Sequence, residues 1–164
     1  MMGYARLADG KLERLDPIKE LEAAIERAFP PGQFNVTIHR DYGEALPMLL
    51  MQRGHLSEIF INLLQNSREA INGNGNITIT AHYGDKYAVI VTIADDGPGI
   101  PAELREKIFE PYFTTKEKGS GLGLAIVKHN IEIYGGSVCA ESGLAKGSKF
   151  VLNMPAKSLM KLLK

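Results

Sequence analysis

Between residues 95 and 123 the chain is rich in Gly, Pro, Thr and Lys and shows no sustained apolar period. A β-rich run precedes this stretch and an amphipathic run follows it. A connection that long inside a compact domain is uncommon unless it covers a site. The surrounding elements must therefore form a platform from which a functional lid is hung. Within the connection one short helical piece is expected near Ala102 to Ile108.

The platform can be read from apolar spacing. Asp16-Pro17 is an N-cap and first-turn pair for a helix carrying Ile18, Leu21, Ala24, Ile25 and Ala28, which Pro30-Pro31-Gly32 stops. Residues 33 to 40 alternate through Phe34, Val36 and Ile38 and predict a strand. From Leu56 to Ile71, Leu56, Ile59, Phe60, Leu63, Leu64, Ala70 and Ile71 recur at helical spacing, and Gly73-Asn74-Gly75 ends the run. Asn76 to His82 and Tyr87 to Ala94 read as a hairpin turning at Gly84-Asp85. Leu122 to Tyr134 predicts a helix closed by Gly135-Gly136. Ser137 to Glu141 and Ser148 to Asn153 form a terminal hairpin. The sum is an α/β (α+β) two-layer sandwich, a mixed, mostly antiparallel sheet on about three helices.

Composition bounds the class. The 164 residues suffice for one domain, and 45% hydrophobic with 23% charged side chains describes a globular chain with a real core. Nineteen basic against nineteen acidic residues leave no global field to recruit nucleic acid or anionic lipid. The longest nearly apolar run, Ala88 to Ala94, is far below the ~18 residues of a membrane span. No charged segment followed by an apolar one opens the chain, so no secretory signal is read. Cys139 has no cysteine to pair with, and its apolar setting predicts a buried, reduced thiol and a cytoplasmic location. Met1-Met2-Gly3-Tyr4-Ala5-Arg6 reads like the interior of a longer sequence, whose parent could be membrane-anchored.

Three elements can carry chemistry. On a helical wheel His55, Glu58, Asn62, Asn66 and Glu69 share one polar strip at the rim of the apolar stripe. Asn62 and Asn66, one turn apart, offer amide oxygens that a hard cation tolerates when it keeps waters and a ligand's phosphates. By itself such a pair is more often ordinary solvated amides. Next, Asp95-Asp96-Gly97-Pro98-Gly99-Ile100 follows a strand. Its glycines allow a tight turn close to a planar ligand, and a carboxylate at the strand end can accept from an exocyclic amine. The plain alternative is a solvated acidic turn. Last, Gly119, Gly121 and Gly123 lead into a helix whose N-terminus is an anion site, with neither the dinucleotide nor the P-loop spacing.

In this order the motifs resemble the boxes of sensor histidine kinases. Asn62-Leu63-Leu64-Gln65-Asn66 is similar to the N box, Asp95-Asp96-Gly97-Pro98-Gly99 to the G1 box, Phe109 to Lys116 to the F box, and Gly119-Ser120-Gly121-Leu122-Gly123-Leu124 to the G2 box. Gly147-Ser148-Lys149-Phe150 with Pro155 resembles the closing segment. The likeness covers roughly residues 50 to 155 and, through Asn66-Ser67-Arg68-Glu69-Ala70, leans toward the nitrogen-regulation-like branch.

The resemblance implies a Bergerat-type ATP-binding fold with ATP and Mg²⁺ as its ligands. It implies that Asn66 holds the metal with Asn62 assisting, and that Asp95 accepts from the adenine amine. Gly99 and Ile100 would lie beside the ring, with Ser148 reaching it through water. Lys116 and the backbone of Gly121, Leu122, Gly123 and Leu124 would meet the phosphates, with Ala70, Gly97 and Ser120 completing the nucleotide set. Asn62 and Lys116 would be the catalytic residues, and Pro98 to Ser120 the ATP lid. Residues 1–16 would be a linker remnant, 17–155 the catalytic domain and 156–164 a tail.

Two departures matter. Relatives often carry Lys or Arg three residues after the metal asparagine, where this chain has Glu69, and Arg68 points elsewhere on the wheel. None of His39, His55, His82 and His129 has the acidic follower of a phosphoacceptor histidine, and His55 reads as helix-face packing. The implied function is transfer of phosphate from Mg-ATP to a histidine on a separate dimerisation domain, for relay to a response-regulator receiver. No nucleic acid and no membrane insertion of the domain are expected. The alternatives are an ATPase clamp of the gyrase, Hsp90 or mismatch-repair type, which would place a glutamate where Asn62 stands, and a non-catalytic regulator-docking module.

Overall fold

The structure, a computed structural model, describes residues 10–85, 88–114, 121–142 and 147–156. The elements run β1 (Glu13–Leu15), α1 (Pro17–Ala28), β2 (Asn35–Tyr42), β3 (Leu49–Met51), α2 (Arg53–Ala70), β4 (Asn74–Gly84), β5 (Ala88–Asp95), α3 (Gly123–Ile133), β6 (Ser137–Ser142) and β7 (Ser148–Pro155), with two single 3₁₀ turns, Ala102–Leu104 and Lys107–Phe109, between β5 and α3.

Five strands form one sheet in the order β2-β4-β5-β7-β6. Only β2 and β4 pair in parallel, because a parallel neighbour needs a crossover and α2 supplies it. The other three pairings are antiparallel. Alternate residues of the central strands, Ile77 and Ile79, Val91 and Ile93, Phe150 and Leu152, are buried against the helical layer. α2 is its centre, with Leu56, Ile59, Phe60, Leu63 and Leu64 inaccessible and α1 and α3 flanking it. The layered architecture and its mixed, mostly antiparallel sheet are thus as the periodicity predicts.

Local chemistry explains the boundaries. The Asp16 carboxylate accepts from the backbone N–H groups of Ile18 and Lys19, and Pro17 opens α1, a cap that contributes about 1 kcal/mol. Asn72 and Gly73 are both left-handed, and Gly73 N–H donates to the Arg68 carbonyl at 2.9 Å, so α2 closes before β4 begins. α1 is fastened to β2 by Glu22, which accepts from Arg40 at 2.7 Å and from the Tyr42 hydroxyl at 2.5 Å. Burial first, then the Glu22 carboxylate, raise the Tyr42 pKa far above that of a free phenol.

One element is additional to the sequence pattern and three expectations are corrected. The small sheet of β1 and β3 is the addition; its strands are three residues each and pair antiparallel, Leu15 opposite Leu49, sealing the end of the core. The strand expected at 33 to 40 lies at Asn35–Tyr42. The helical piece near Ala102 to Ile108 is two separate turns, because Phe109 turns into the core, edge-on to Phe150. Cys139 is exposed, not buried, since it alternates with Val138 and Ala140, which pack on the core from edge strand β6.

Ser67, wholly buried in α2, keeps a side-chain hydroxyl without a hydrogen-bond partner among the described residues. An unsatisfied buried hydroxyl costs about 1–3 kcal/mol, and alanine is the better helix former. Ser67→Ala is expected to raise stability by about 1 kcal/mol, seen as a higher urea midpoint at unchanged slope. A lower midpoint would show a partner for that hydroxyl.

Candidate functional site

The site lies where the C-terminal turn of α2, the end of β5, the start of β7 and the N-terminus of α3 meet. Its deepest charged group is Asp95, only 6% exposed. One carboxylate oxygen accepts from the Gly97 N–H at 2.9 Å, the other from the Ser148 hydroxyl at 2.7 Å. With both oxygens held, the carboxylate is oriented before anything binds and keeps lone pairs for a ligand's N–H. Asp96, its neighbour, points the other way. It accepts from the backbone N–H and side-chain amide of Asn76, each at 3.0 Å, and these bonds hold its pKa below the usual carboxylate range. Consecutive acids divide the labour, Asp95 facing inward and Asp96 stapling β5 to β4.

Close backbone approach shapes the turn. A Cβ on Gly97 would come within 2.9 Å of both the Ala70 carbonyl oxygen and an Asp95 oxygen, so the turn rests on the last residue of α2. Gly99 is left-handed at φ 85°, and Ile100 packs at the edge of the core. The Arg105 guanidinium donates to the Ile100 carbonyl at 3.2 Å, holding the following segment back on itself.

The polar strip of α2 faces α3. Asn62 donates from its amide nitrogen to the Glu58 carbonyl at 2.8 Å. Its side-chain oxygen would lie 3.0 Å from a Cβ on Gly123. Asn66, one turn on, is half-buried, and no described group hydrogen-bonds its amide. α3 begins at Gly123, and no described side chain caps it; the N-terminus of a helix is the end whose N–H groups and dipole suit an anion. Further along, Asn130 is buried and donates to Glu58 at 3.5 Å. His55 is packed edge-on to Tyr134, their polar atoms 2.5 Å apart; burial lowers the His55 pKa.

Of the candidate residues, Asp95 bonds both Gly97 and Ser148, Gly97 lies against Ala70, and Asn62 meets Gly123. Leu122 and Leu124 flank Gly123 in the first turn of α3. Gly121 is left-handed at φ 75°, and its carbonyl accepts from the Tyr112 N–H at 2.8 Å, so both ends of the intervening segment are tied together. Lys116 and Ser120 lie outside the described residues. Arg68 turns away from the strip: its guanidinium donates to the Ala28 carbonyl at 2.5 Å and lies 4.5 Å above the Phe34 ring. Gly147, from the closing motif, is a further residue packed against the site. A Cβ there would sit 1.7 Å from the Asp95 carbonyl oxygen.

A family model described as histidine kinase-, DNA gyrase B-, and HSP90-like ATPase matches residues 51–158. Sporulation kinase D of Bacillus subtilis is 33% identical over 76% of this chain and 25% of its own length. The sensory histidine kinase/phosphatase NtrB of Rhodobacter capsulatus is 35% identical over 74% of this chain and 37% of its own. The chain thus spans a minor part of these curated relatives. The catalytic domain of histidine kinase ThkA, in a nucleotide-free form, superposes with a TM-score of 0.75 at 31% identity, covering 89% of this chain and 96% of that one. No described helix is long and apolar enough to cross a membrane. The chain belongs to the histidine kinase-, DNA gyrase B- and HSP90-like ATPase family, as an ATP-binding domain of the sensor histidine kinase type.

Proposed function

We propose that this domain binds Mg-ATP and presents the γ-phosphate to a histidine on a separate dimerisation domain, from which it passes to a response-regulator aspartate. The observation that carries this reading is the Asp95 carboxylate, held at both oxygens by Gly97 and Ser148, in a domain whose α2 offers Asn66, an amide that no described group hydrogen-bonds. Asp95 receives the adenine amine, with Ser148 holding its second oxygen and Gly97, Gly99 and Ile100 shaping the base pocket beside Ala70. The amides of Gly121, Leu122, Gly123 and Leu124 meet the phosphates, with Lys116 and Ser120 contributing from the adjoining segment.

The residues present fit a divalent cation that arrives with the nucleotide. Asn66 would hold it and Asn62 would assist; among the described residues no cluster of three His, Cys, Asp or Glu could hold one unaided. When bound, such an ion neutralises phosphate charge. The domain itself positions and excludes water. In the transfer, an imidazole nitrogen forms the P–N bond as the bond between the γ-phosphorus and the β,γ-bridging oxygen breaks, ADP leaves and the imidazole proton passes to solvent. The similarity of the chain to sensor kinases favours this over an ATPase clamp, as does Asn62 in place of an acidic group. A cytoplasmic setting follows from the ATP it uses.

With radiolabelled ATP and Mg²⁺, the chain alone is expected to stay unlabelled. A separately purified kinase dimerisation domain of the nitrogen-regulation type is expected to gain acid-labile, base-stable label when the chain is added. Steady ATP hydrolysis without label in either would favour the clamp, and label on His55 would overturn the assignment of the acceptor to another domain.

A further inference from the structure

β5 leaves the sheet at Asp95, whose partner in the ladder is Ile77 of β4. One residue on, Asp96 is exposed, yet a single residue of β4 holds it at three points. The Asn76 carbonyl accepts from the Asp96 N–H at 3.3 Å. The Asn76 N–H and side-chain amide each donate to one oxygen of the Asp96 carboxylate at 3.0 Å. A Cβ on Gly75 would stand 2.6 Å from one of those oxygens, so the carboxylate sits where only glycine leaves room. The Asn76 amide is itself aimed from the neighbouring strand, because its oxygen lies 2.9 Å from His39 Nε2 on β2. With the amide nitrogen committed to Asp96, the imidazole nitrogen is the donor, and His39 carries a proton on Nε2. The reverse orientation of the amide would set its oxygen against a carboxylate.

Asp96 stands between the two residues that shape the acceptor. Consecutive side chains at a strand end point to opposite faces, so Asp96 can be gripped from outside the sheet while Asp95 turns inward. With Asp96 fixed through both main chain and side chain, the Gly97 N–H is brought back onto the Asp95 carboxylate at 2.9 Å, and Gly97 rests on Ala70. We propose that Asn76 is a positioning residue for base recognition, acting through Asp96 on the direction of the Asp95 carboxylate. This rests on the reading of Asp95 as the acceptor of the adenine amine. Without the Asn76 side chain, Asp96 keeps only main-chain partners in β4, the 95–97 turn gains freedom, and the ligand must order it on binding.

Calorimetric titrations of the full chain with ATP and with ITP, in excess Mg²⁺, test this for wild type, Asp95→Asn, Asn76→Val, Asn76→Asp and the exchange Asn76→Asp/Asp96→Asn. Valine keeps the strand propensity of the position and removes the amide. Aspartate alone sets one carboxylate against another, and the exchange restores a donor opposite an acceptor. The preference for ATP over ITP is expected to fall about 3- to 10-fold in Asn76→Val, the scale of ordering one freed side chain on binding. It should fall further in Asn76→Asp and return to within about 2-fold of wild type in the exchange. Urea midpoints of the same variants separate a structural role: a lowered midpoint with unchanged nucleotide preference would overturn the proposal, as would an exchange that restores nothing. A wild type without preference for ATP, or a preference that Asp95→Asn leaves intact, would overturn the base-pocket reading and this proposal with it. A preference altered by Asp95→Asn but by neither single Asn76 variant overturns this proposal alone.

Discussion

Asp95→Asn is expected to weaken ATP binding at least about 100-fold while leaving a folded protein. A buried site that accepts a hydrogen bond from a ligand N–H discriminates by this order or more when its acceptor is replaced, because polar groups are then left facing one another unpaired. The asparagine oxygen can still accept from Gly97 N–H. Its amide nitrogen then takes the place of the oxygen that now accepts from Ser148, and the Ser148 hydroxyl can turn to accept. The turn therefore survives, but a donor now meets the adenine amine. Nucleotides with a 6-oxo base, such as ITP, should lose less affinity than ATP or gain some. Calorimetry with both nucleotides reads this, and equal ATP affinity in wild type and variant would remove Asp95 from the base pocket.

Gly147→Ala is expected to cost the fold about 3 kcal/mol or more, the scale of overpacking where neither side can yield. The new methyl would stand 1.7 Å from the Asp95 carbonyl oxygen and 3.2 Å from the Asp96 Cα. These are backbone atoms of the strand end, so no rotamer change relieves the contact. β5 and β7 would have to part where Ala94 pairs with Lys149, carrying Asp95 away from Ser148. Gly54→Ala is the matched control. No atom lies within 4 Å of its Cβ position in the first turn of α2, so it should stabilise by about 0.5–1 kcal/mol. Urea denaturation of the two variants should move midpoints in opposite directions. A Gly147→Ala midpoint equal to wild type would mean the strand end opens without cost.

Elements whose pattern is local were legible in the sequence. Asp16-Pro17 marks the start of α1 because cap and ring act within one turn, and Leu56 to Leu64 mark α2 because a buried stripe repeats every turn. The strands β1 and β3 were not legible, since three residues hold no period and their pairing joins Leu15 to Leu49, far apart in sequence. Parallel pairing of β2 with β4 is likewise a property of the crossover and of neither strand. Cys139 shows the limit of composition: an apolar strand on an edge still turns every second residue outward. Within the site, Asp95 and the glycine turns could be read from chemistry alone, as motifs at a strand end and a helix start. The crowding around Gly147 could not, because the atoms that exclude a side chain belong to a strand more than fifty residues earlier.

The bond from Tyr112 N–H to the Gly121 carbonyl, between two left-handed residues, makes the length of the segment between them an independent variable. Once a loop is tied at its base, doubling its length adds only about 0.6 kcal/mol of closure entropy. The strands and helices below that tie experience the same two anchor points whatever number of residues joins them. Selection can therefore change how many residues join Tyr112 to Gly121 without moving the strand ends and turns that hold Asp95 between Gly97 and Ser148.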